Sequence, residues 1–318
     1  MTTEIAARSQ TKGSPDGRWD TSGLTVALTG ASGFLGRHVE ARLVASGAMV
    51  VRVLGDVRAA LHVVPERFDV LCHLAGRAGG AFASAPDEGV AVNVNGTLNA
   101  LLLARRGGAR FVFASTCAVY RPAHVALDER APLGPTDVYG FSKQLAEGLC
   151  RDVASYHSMT VTVLRIFNPY GPGQEPGYLV PDVCAALARG EVPAVRRPRD
   201  VRDFVAVADV AEVVRRACVL GDGFHVLNVG SGIPMRVDDL VELAARLAGG
   251  PTQGDAPDGA GDPIGRCADL SQVRATLDWE PLVPLADGLK ALLGAGAVAA
   301  VPRREGFRHG ASLETPSA

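Results

Sequence analysis

Short apolar runs of strand length alternate with amphipathic stretches through the first half of the chain. The first run, Leu24-Thr25-Val26-Ala27-Leu28, is followed by residues 34–46, where Leu35, Val39, Leu43 and Val44 recur at helical spacing. Further runs fall at 49–54, 69–74, 110–115 and 160–167. Helical stretches lie at about 86–106 and from the segment holding Tyr139 and Lys143 to His157. Near-continuous apolar strands separated by helices predict a parallel sheet covered on both faces, an α/β fold of the Rossmann-type doubly wound class. Past residue 172 the texture changes. Shorter helices are expected over 178–190, 208–219 and 236–248, a strand over 224–229, and Gly/Pro-rich links over 250–264. The pattern predicts a large domain over 23–172. Residues 173–293 are expected to form mainly a smaller C-terminal lobe, with some chain returning to the large domain. Residues 1–22 and 294–318 read as disordered tails.

Composition narrows the partners. A chain of 318 residues with 47% hydrophobic and 21% charged residues has the apolar content of a globular protein. A net charge of −2 gives no electrostatic basis for nucleic acid or an anionic membrane as a partner. No apolar run reaches transmembrane length, and residues 1–22 lack the apolar core of a signal peptide, so the expected location is the cytoplasm. Six cysteines (Cys72, Cys117, Cys150, Cys184, Cys218, Cys267) are scattered without metal-ligand spacing, mostly in apolar segments. They read as buried thiols in a reducing compartment, and no metal site is expected.

Two local patterns carry chemistry. Residues 29–36 read TGASGFLG directly after the first strand. Gly30, Gly33 and Gly36 let the chain turn tightly and bring backbone N–H groups against a pyrophosphate at a helix N-terminus. Residues 139–143 read YGFSK, which sets Tyr139 and Lys143 on one face of a helix. An ammonium beside a phenol favours phenolate, so Tyr139 is expected to serve as a base near neutral pH. A dinucleotide site with such a pair moves hydride onto or off a carbinol carbon. NAD is the expected cofactor, with NADP possible.

Further motifs follow in order: HLAG (73–76), NVNGT (93–97), STCAVY (115–120), RIFNPYGPG (165–173), RDF (202–204), NVGSG (228–232) and LDWEP (277–281). With them the chain, over roughly residues 24–293, resembles the extended short-chain dehydrogenase/reductases of the NAD-dependent epimerase/dehydratase family, which act on nucleotide sugars. The resemblance implies pyrophosphate contacts from Gly30, Gly33, Phe34, Leu35 and Gly36. It places His73, Leu74, Ala75 and Gly76 on the adenosine side, with Asn93 bracing that wall. Thr116, Tyr139 and Lys143 become the catalytic group, with Thr116 relaying the proton to Tyr139 and Lys143 also binding the nicotinamide ribose. Asn168 and Arg202 would hold the diphosphate of a nucleotide-sugar substrate, and Leu179 and Val180 would flank its base. A homodimer through the helices near 86–106 and 137–157 is also implied.

Three departures from the family pattern shape the expected reaction. In the family's dehydratases an acid and a base follow the catalytic threonine, and the related decarboxylases keep a glutamate there. Here those positions are Cys117 and Ala118. Ala118 cannot act as a base, which argues against elimination and against decarboxylation. Cys117 stands one residue earlier than the catalytic cysteine of the family's epimerase/reductases. Strand alternation is expected to turn it to the other face, so it is given no role. Next, strand two ends near Leu54 without an acid. Either Asp56, in GDVR with Val57, contacts the adenosine, or the second helix and third strand have largely been deleted. Asp56 would repel a 2′-phosphate, whereas Arg52 and Arg58 would receive one. Lastly, Gly259 and Ala260 stand before Gly261-Asp262 where many relatives keep an arginine for the diphosphate, unless Arg266 substitutes. The leading expectation is an epimerase of a nucleotide-linked sugar, working by transient oxidation at C4 to a 4-keto intermediate. An NADPH-dependent 4-ketoreductase needs the same three residues. A non-catalytic nucleotide sensor is disfavoured, because Thr116, Tyr139 and Lys143 all stand.

Overall fold

The computed structural model describes residues 17–61, 67–250 and 265–294. Six parallel strands form the main sheet: β1 (Thr25–Thr29), β2 (Met49–Val53), β3 (Val70–His73), β4 (Arg110–Thr116), β5 (Val161–Ile166) and β9 (Phe224–Val229). Their order across the sheet is β2-β1-β3-β4-β5-β9. It runs outward from β1 in both directions, to β2 on one side and β3 on the other. The switch point therefore lies at the carboxyl end of β1, where open α/β sheets take their ligands.

Alternate strand residues part into two cores. Val26, Leu28, Val70, Cys72, Val112 and Leu164 face α1 (Phe34–Ala45) and α6 (Val207–Ala217). Ala27, Leu71, Phe111, Phe113, Val161 and Val163 face α3 (Pro86–Gly107) and α4 (Val138–His157), meeting Leu101, Ala104, Ala146 and Cys150. Each fully buried Leu, Val or Phe contributes roughly 1.5–3 kcal/mol, so both faces are strongly specified. A short helix, α2 (Gly79–Ser84), precedes α3.

A smaller lobe stands at the carboxyl ends of the strands. Its three-stranded sheet places β7 (Val201–Asp203) between antiparallel β10 (Pro234–Arg236) and parallel β11 (Gly265–Arg266). β6 (Pro169–Tyr170) pairs with β8 (Val205–Ala206). Helices α5 (Leu179–Ala188), α7 (Val237–Ala248) and α9 (Leu285–Gly294) close over Tyr170, Val183, Leu240, Val241 and Leu289. Between α7 and α9 in the chain, α8 (Ser271–Leu277) returns Val273 and Leu277 to the first core.

The helix near 208–219 and the strand at 224–229 are part of the large domain. Val210, Val213 and Val214 of α6 join the core beside α1, and β9 pairs with β5 as the sixth strand. The chain thus visits the small lobe before the large domain is complete. At the amino end, residues 17–22 of the expected tail pack onto the fold. Trp19 and Thr21 are buried, the Trp19 carbonyl accepts a hydrogen bond from Arg215, and Thr21 Oγ1 lies 2.6 Å from Ser46 Oγ. Residues 1–16 and 295–318, and the links over 251–264, lie outside the described residues. Among the described residues no helix or strand lies between Val53 and Val70, as deletion of the second helix and third strand would leave it. No helix among them is long and apolar enough to cross a membrane.

Candidate active site

The chain leaves β1 at Thr29 and turns at Gly30, whose φ is +70°. A Cβ there would stand 2.6 Å from the Ala75 nitrogen, and one on Gly36 would overlap the Gly30 carbonyl oxygen. Gly33 is the N-cap of α1 and offers no side-chain hydrogen bond, and the first turn holds no acid. The N–H groups that open α1 at Phe34 and Leu35 are therefore free for an anion at the positive end of the helix. This cradle fits the pyrophosphate of a dinucleotide.

Thr116 is the last residue of β4, and a 3₁₀ turn over Cys117–Val119 starts on it. Its hydroxyl accepts the Ala118 N–H at 3.2 Å. Asp137 caps α4 by accepting the Gly140 N–H at 2.7 Å, which sets Tyr139 in the first turn and Lys143 one turn on. Tyr139 packs edge-on against Phe82, with ring centroids 5.6 Å apart. Burial pushes its phenol up, while a hydrogen bond with Thr116 acts the other way. Lys143 is 6% exposed. Its Nζ donates to the Ala114 carbonyl at 2.8 Å and lies 4.6 Å from the centre of the Phe113 ring. Burial brings Lys143 down to about 8, against Cys150 and Glu147. Lys143 directs its charge to the Ala114 carbonyl and the Phe113 ring in this geometry, so the support expected from it for a Tyr139 phenolate is not made here and burial opposes ionisation of the phenol.

The adenosine side is tied down from behind. His73 Nδ1 lies 2.8 Å from Thr29 Oγ1, and its ring stacks on Phe111 and Phe113. Burial, then Lys143, take this imidazole down to about 3, so it is neutral. The Ala75 N–H donates to Thr29 Oγ1 at 3.3 Å. Asn93 accepts the Arg77 N–H at 2.9 Å, donates to the Arg77 carbonyl at 3.1 Å, and donates to Ser142 Oγ at 3.0 Å. It thereby pins the segment after Gly76 to α4. Asp56 is held by Arg58, whose Nη2 lies 2.6 Å from Oδ2; this hydrogen bonding pulls the carboxyl down to about 2. Val57 is buried against Gly96, and Leu54 is 79% exposed.

A cleft of about 680 Å³ opens between the strand ends and the small lobe. It brings together Gly33, Phe34, Gly76, Thr116 and Tyr139 with Asn168, Leu179, Val180 and Arg202. Gly30, Leu35, Gly36, Asp56, Val57, Leu74, Ala75, Asn93 and Lys143 are not in its lining. Asn168 Nδ2 donates to the Asp203 carbonyl at 2.9 Å, and Arg202 Nη2 stands 3.8 Å from Asp200. Val180 is also part of the small-lobe core.

One lining residue differs from expectation, and a second, Arg266, is the alternative left open for the diphosphate. Cys117 faces the cleft, because β4 ends at Thr116 and a 3₁₀ turn replaces strand alternation. Burial pushes its thiol up, against Arg266. Arg266 is the register partner of Arg202 across β11 and β7, so two guanidinium-bearing residues stand side by side. Arg266 Nε donates to the Tyr120 carbonyl at 3.1 Å, and Nη2 to Thr136 Oγ1 at 3.3 Å. Only that strand pairing reveals its place, and β11 is two residues long. Among the described residues no group of His, Cys, Asp or Glu is placed to hold a metal.

A glycine cradle at the switch point and a Tyr/Lys helix beside it define a dinucleotide-dependent enzyme. The chain belongs to the NAD dependent epimerase/dehydratase family, whose sequence profile matches residues 26–230, and is an NAD(P)-dependent enzyme of the extended short-chain dehydrogenase/reductase type. It is 31% identical over 303 residues to UDP-glucuronic acid decarboxylase 6 of Arabidopsis thaliana, covering 84% of this chain and 87% of that one. It is 29% identical to GDP-6-deoxy-D-mannose reductase of Pseudomonas aeruginosa, covering 84% and 95%. Among solved structures, UDP-glucose 4-epimerase of Thermus thermophilus in complex with NAD aligns with a TM-score of 0.75. That pair is 25% identical, covering 87% of this chain and 100% of the other.

Proposed function

We propose that the protein epimerises a nucleotide-linked sugar by transient oxidation at C4. One observation carries this reading. Thr116 and Tyr139 meet at the cleft with Lys143 behind them, while the two positions after Thr116, Cys117 and Ala118, supply no carboxylate. Hydride chemistry at a carbinol finds its acid–base group here, whereas elimination and decarboxylation lack theirs. Relatives include decarboxylases, 4-epimerases and a reductase, so kinship leaves the reaction to the site.

NAD, when bound at this cradle, would supply the hydride acceptor and donor. Tyr139, acting as phenolate, takes the C4 hydroxyl proton with Thr116 bridging, and gives it back when the 4-keto sugar has turned. Lys143 supports that proton transfer and holds the ribose. The open N-terminus of α1 binds the pyrophosphate. Arg202 and Arg266, side by side on β7 and β11, hold the sugar diphosphate with Asn168, and Leu179 and Val180 flank the base. The same reading takes the protein as a homodimer packed through α3 and α4. Val138, Phe141 and Leu145 are exposed on α4, as an apolar seam awaiting a second copy.

A second reading, an NADPH-dependent 4-ketoreductase, is favoured by the end of β2. Leu54 offers no carboxylate to the ribose diol, and the Asp56 carboxylate is already engaged by Arg58. The test is NMR of UDP-glucose, UDP-galactose and UDP-glucuronic acid after incubation with the protein. The expected result is interconversion of C4 epimers without net consumption of cofactor. Formation of a pentose from UDP-glucuronic acid would overturn the assignment.

A further inference from the structure

A polar row crosses the sheet one residue before Thr116. Ser115 of β4, Arg165 of β5 and Asn228 of β9 are register partners across three adjacent strands. Ser115 and Arg165 both reach Glu147 of α4, which lies one helical turn beyond Lys143 and two beyond Tyr139. Ser115 Oγ donates to Glu147 Oε1 at 2.5 Å, and Arg165 Nη2 donates to Oε2 at 2.7 Å. The row extends outward. Arg165 Nη1 donates to Tyr120 Oη at 2.9 Å, and that hydroxyl donates to Asn228 Oδ1 at 2.7 Å. The side chains of Glu147 and Arg165 are only 8% and 3% exposed.

A buried ion pair is weak ground for stability, because the cost of desolvating both charges offsets their attraction. Its placement is what stands out. It joins the strand that ends in Thr116 to the helix that carries Tyr139 and Lys143, and Tyr120 closes the turn that follows Thr116. We propose that Glu147 is a positioning residue for the catalytic group. Clamped by Ser115 and Arg165, it fixes α4 against the end of β4 and holds an anion one turn below the Lys143 ammonium. This rests on the proposed roles of Thr116, Tyr139 and Lys143. The groups facing Lys143 are Glu147 and Cys150 from α4, His73 from β3, and the Ala114 carbonyl and Phe113 ring of β4. His73 is neutral and Cys150 keeps its proton, so Glu147 is the anion that supports the ammonium.

The chain has three lysines, Lys12, Lys143 and Lys290, so NMR of protein labelled at lysine Cε resolves the Lys143 titration without any substrate. The double variant Glu147→Gln/Arg165→Met removes both charges and leaves neither unpaired. Its Lys143 midpoint is expected to fall, because Glu147 supports the ammonium and Arg165 is not among the groups that act on it. A midpoint equal to that of the wild type would overturn the electrostatic part. Ser115→Ala leaves the ion pair intact and loosens only the link to β4, so it decides the positioning part even if the double variant does not fold. With UDP-glucose as substrate, its kcat is expected to fall about tenfold at nearly unchanged KM. Wild-type kcat in Ser115→Ala would overturn that part. If the wild type itself turns over none of the UDP-sugars, the proposed function fails, and the lysine titration still tests Glu147.

Discussion

At the scale of single residues, the phenol of Tyr139 is where the mechanism is most exposed to test. Burial opposes its ionisation in this geometry, and Thr116 is the neighbour that favours it. Tyr139→Phe is predicted to lower turnover about 10²–10⁴-fold while dinucleotide binding, followed by equilibrium dialysis, stays within a few-fold of wild type. Turnover that survives the change would remove the acid–base assignment. Cys117 offers a contrast: it lines the cleft, yet the epimerase route gives it no proton to move. Cys117→Ala should keep kcat within about threefold. The residue types at these positions were legible from their motifs, but their surroundings were not. Helical spacing puts Tyr139 and Lys143 on one face, but not the Nζ on the Ala114 carbonyl. Alternation misplaced Cys117 because no motif marks where β4 stops.

Among the elements, the turn between β1 and α1 shows how tightly sequence and site are bound. Gly36 has no space for a Cβ against the Gly30 carbonyl, so Gly36→Ala must push the helix away from the turn. Overpacking of this kind costs typically about 1–3 kcal/mol. The predicted result is a lower melting temperature together with weaker dinucleotide binding; a variant with wild-type values for both would contradict the cradle. The parallel strands and the helices of the first half were readable, since apolar runs with helices between them admit few arrangements. The return of α6 and β9 to the large domain was harder to see. Short apolar segments look alike in either lobe, and only the pairing of Val161 with Phe224, across a large part of the chain, decides between them. The neighbouring positions of Arg202 and Arg266 were hidden for the same reason.

For the whole molecule, acid stability and assembly give independent tests. His73 has a folded pKa of about 3, well below its ordinary 6.5, because burial and then Lys143 disfavour its cation. Between those values the unfolded chain binds the extra proton, so stability is lost as pH falls, by up to about 1.4 kcal/mol per unit. Glu212 adds to the loss below about 4.5. Burial opposes its charge, yet hydrogen bonds from Arg215 and Arg216 hold it at about 2. His73→Gln should flatten melting temperature against pH between 6.5 and 4.5, and an unchanged slope would count against a neutral buried imidazole. For assembly, Phe141→Asp is predicted to shift sedimentation from dimer to monomer at micromolar concentration; a wild type that already sediments as a monomer would refute the proposed seam.

In the proposed epimerase the cofactor is regenerated in every cycle by the group around Tyr139. Mass spectrometry of the nucleotide released when the purified protein is denatured tests this most directly. NAD is expected to be retained at close to one molecule per chain, because an epimerase has no need to exchange it. Protein that releases no dinucleotide, and that prefers NADPH on titration, would contradict the epimerase and leave the ketoreductase standing.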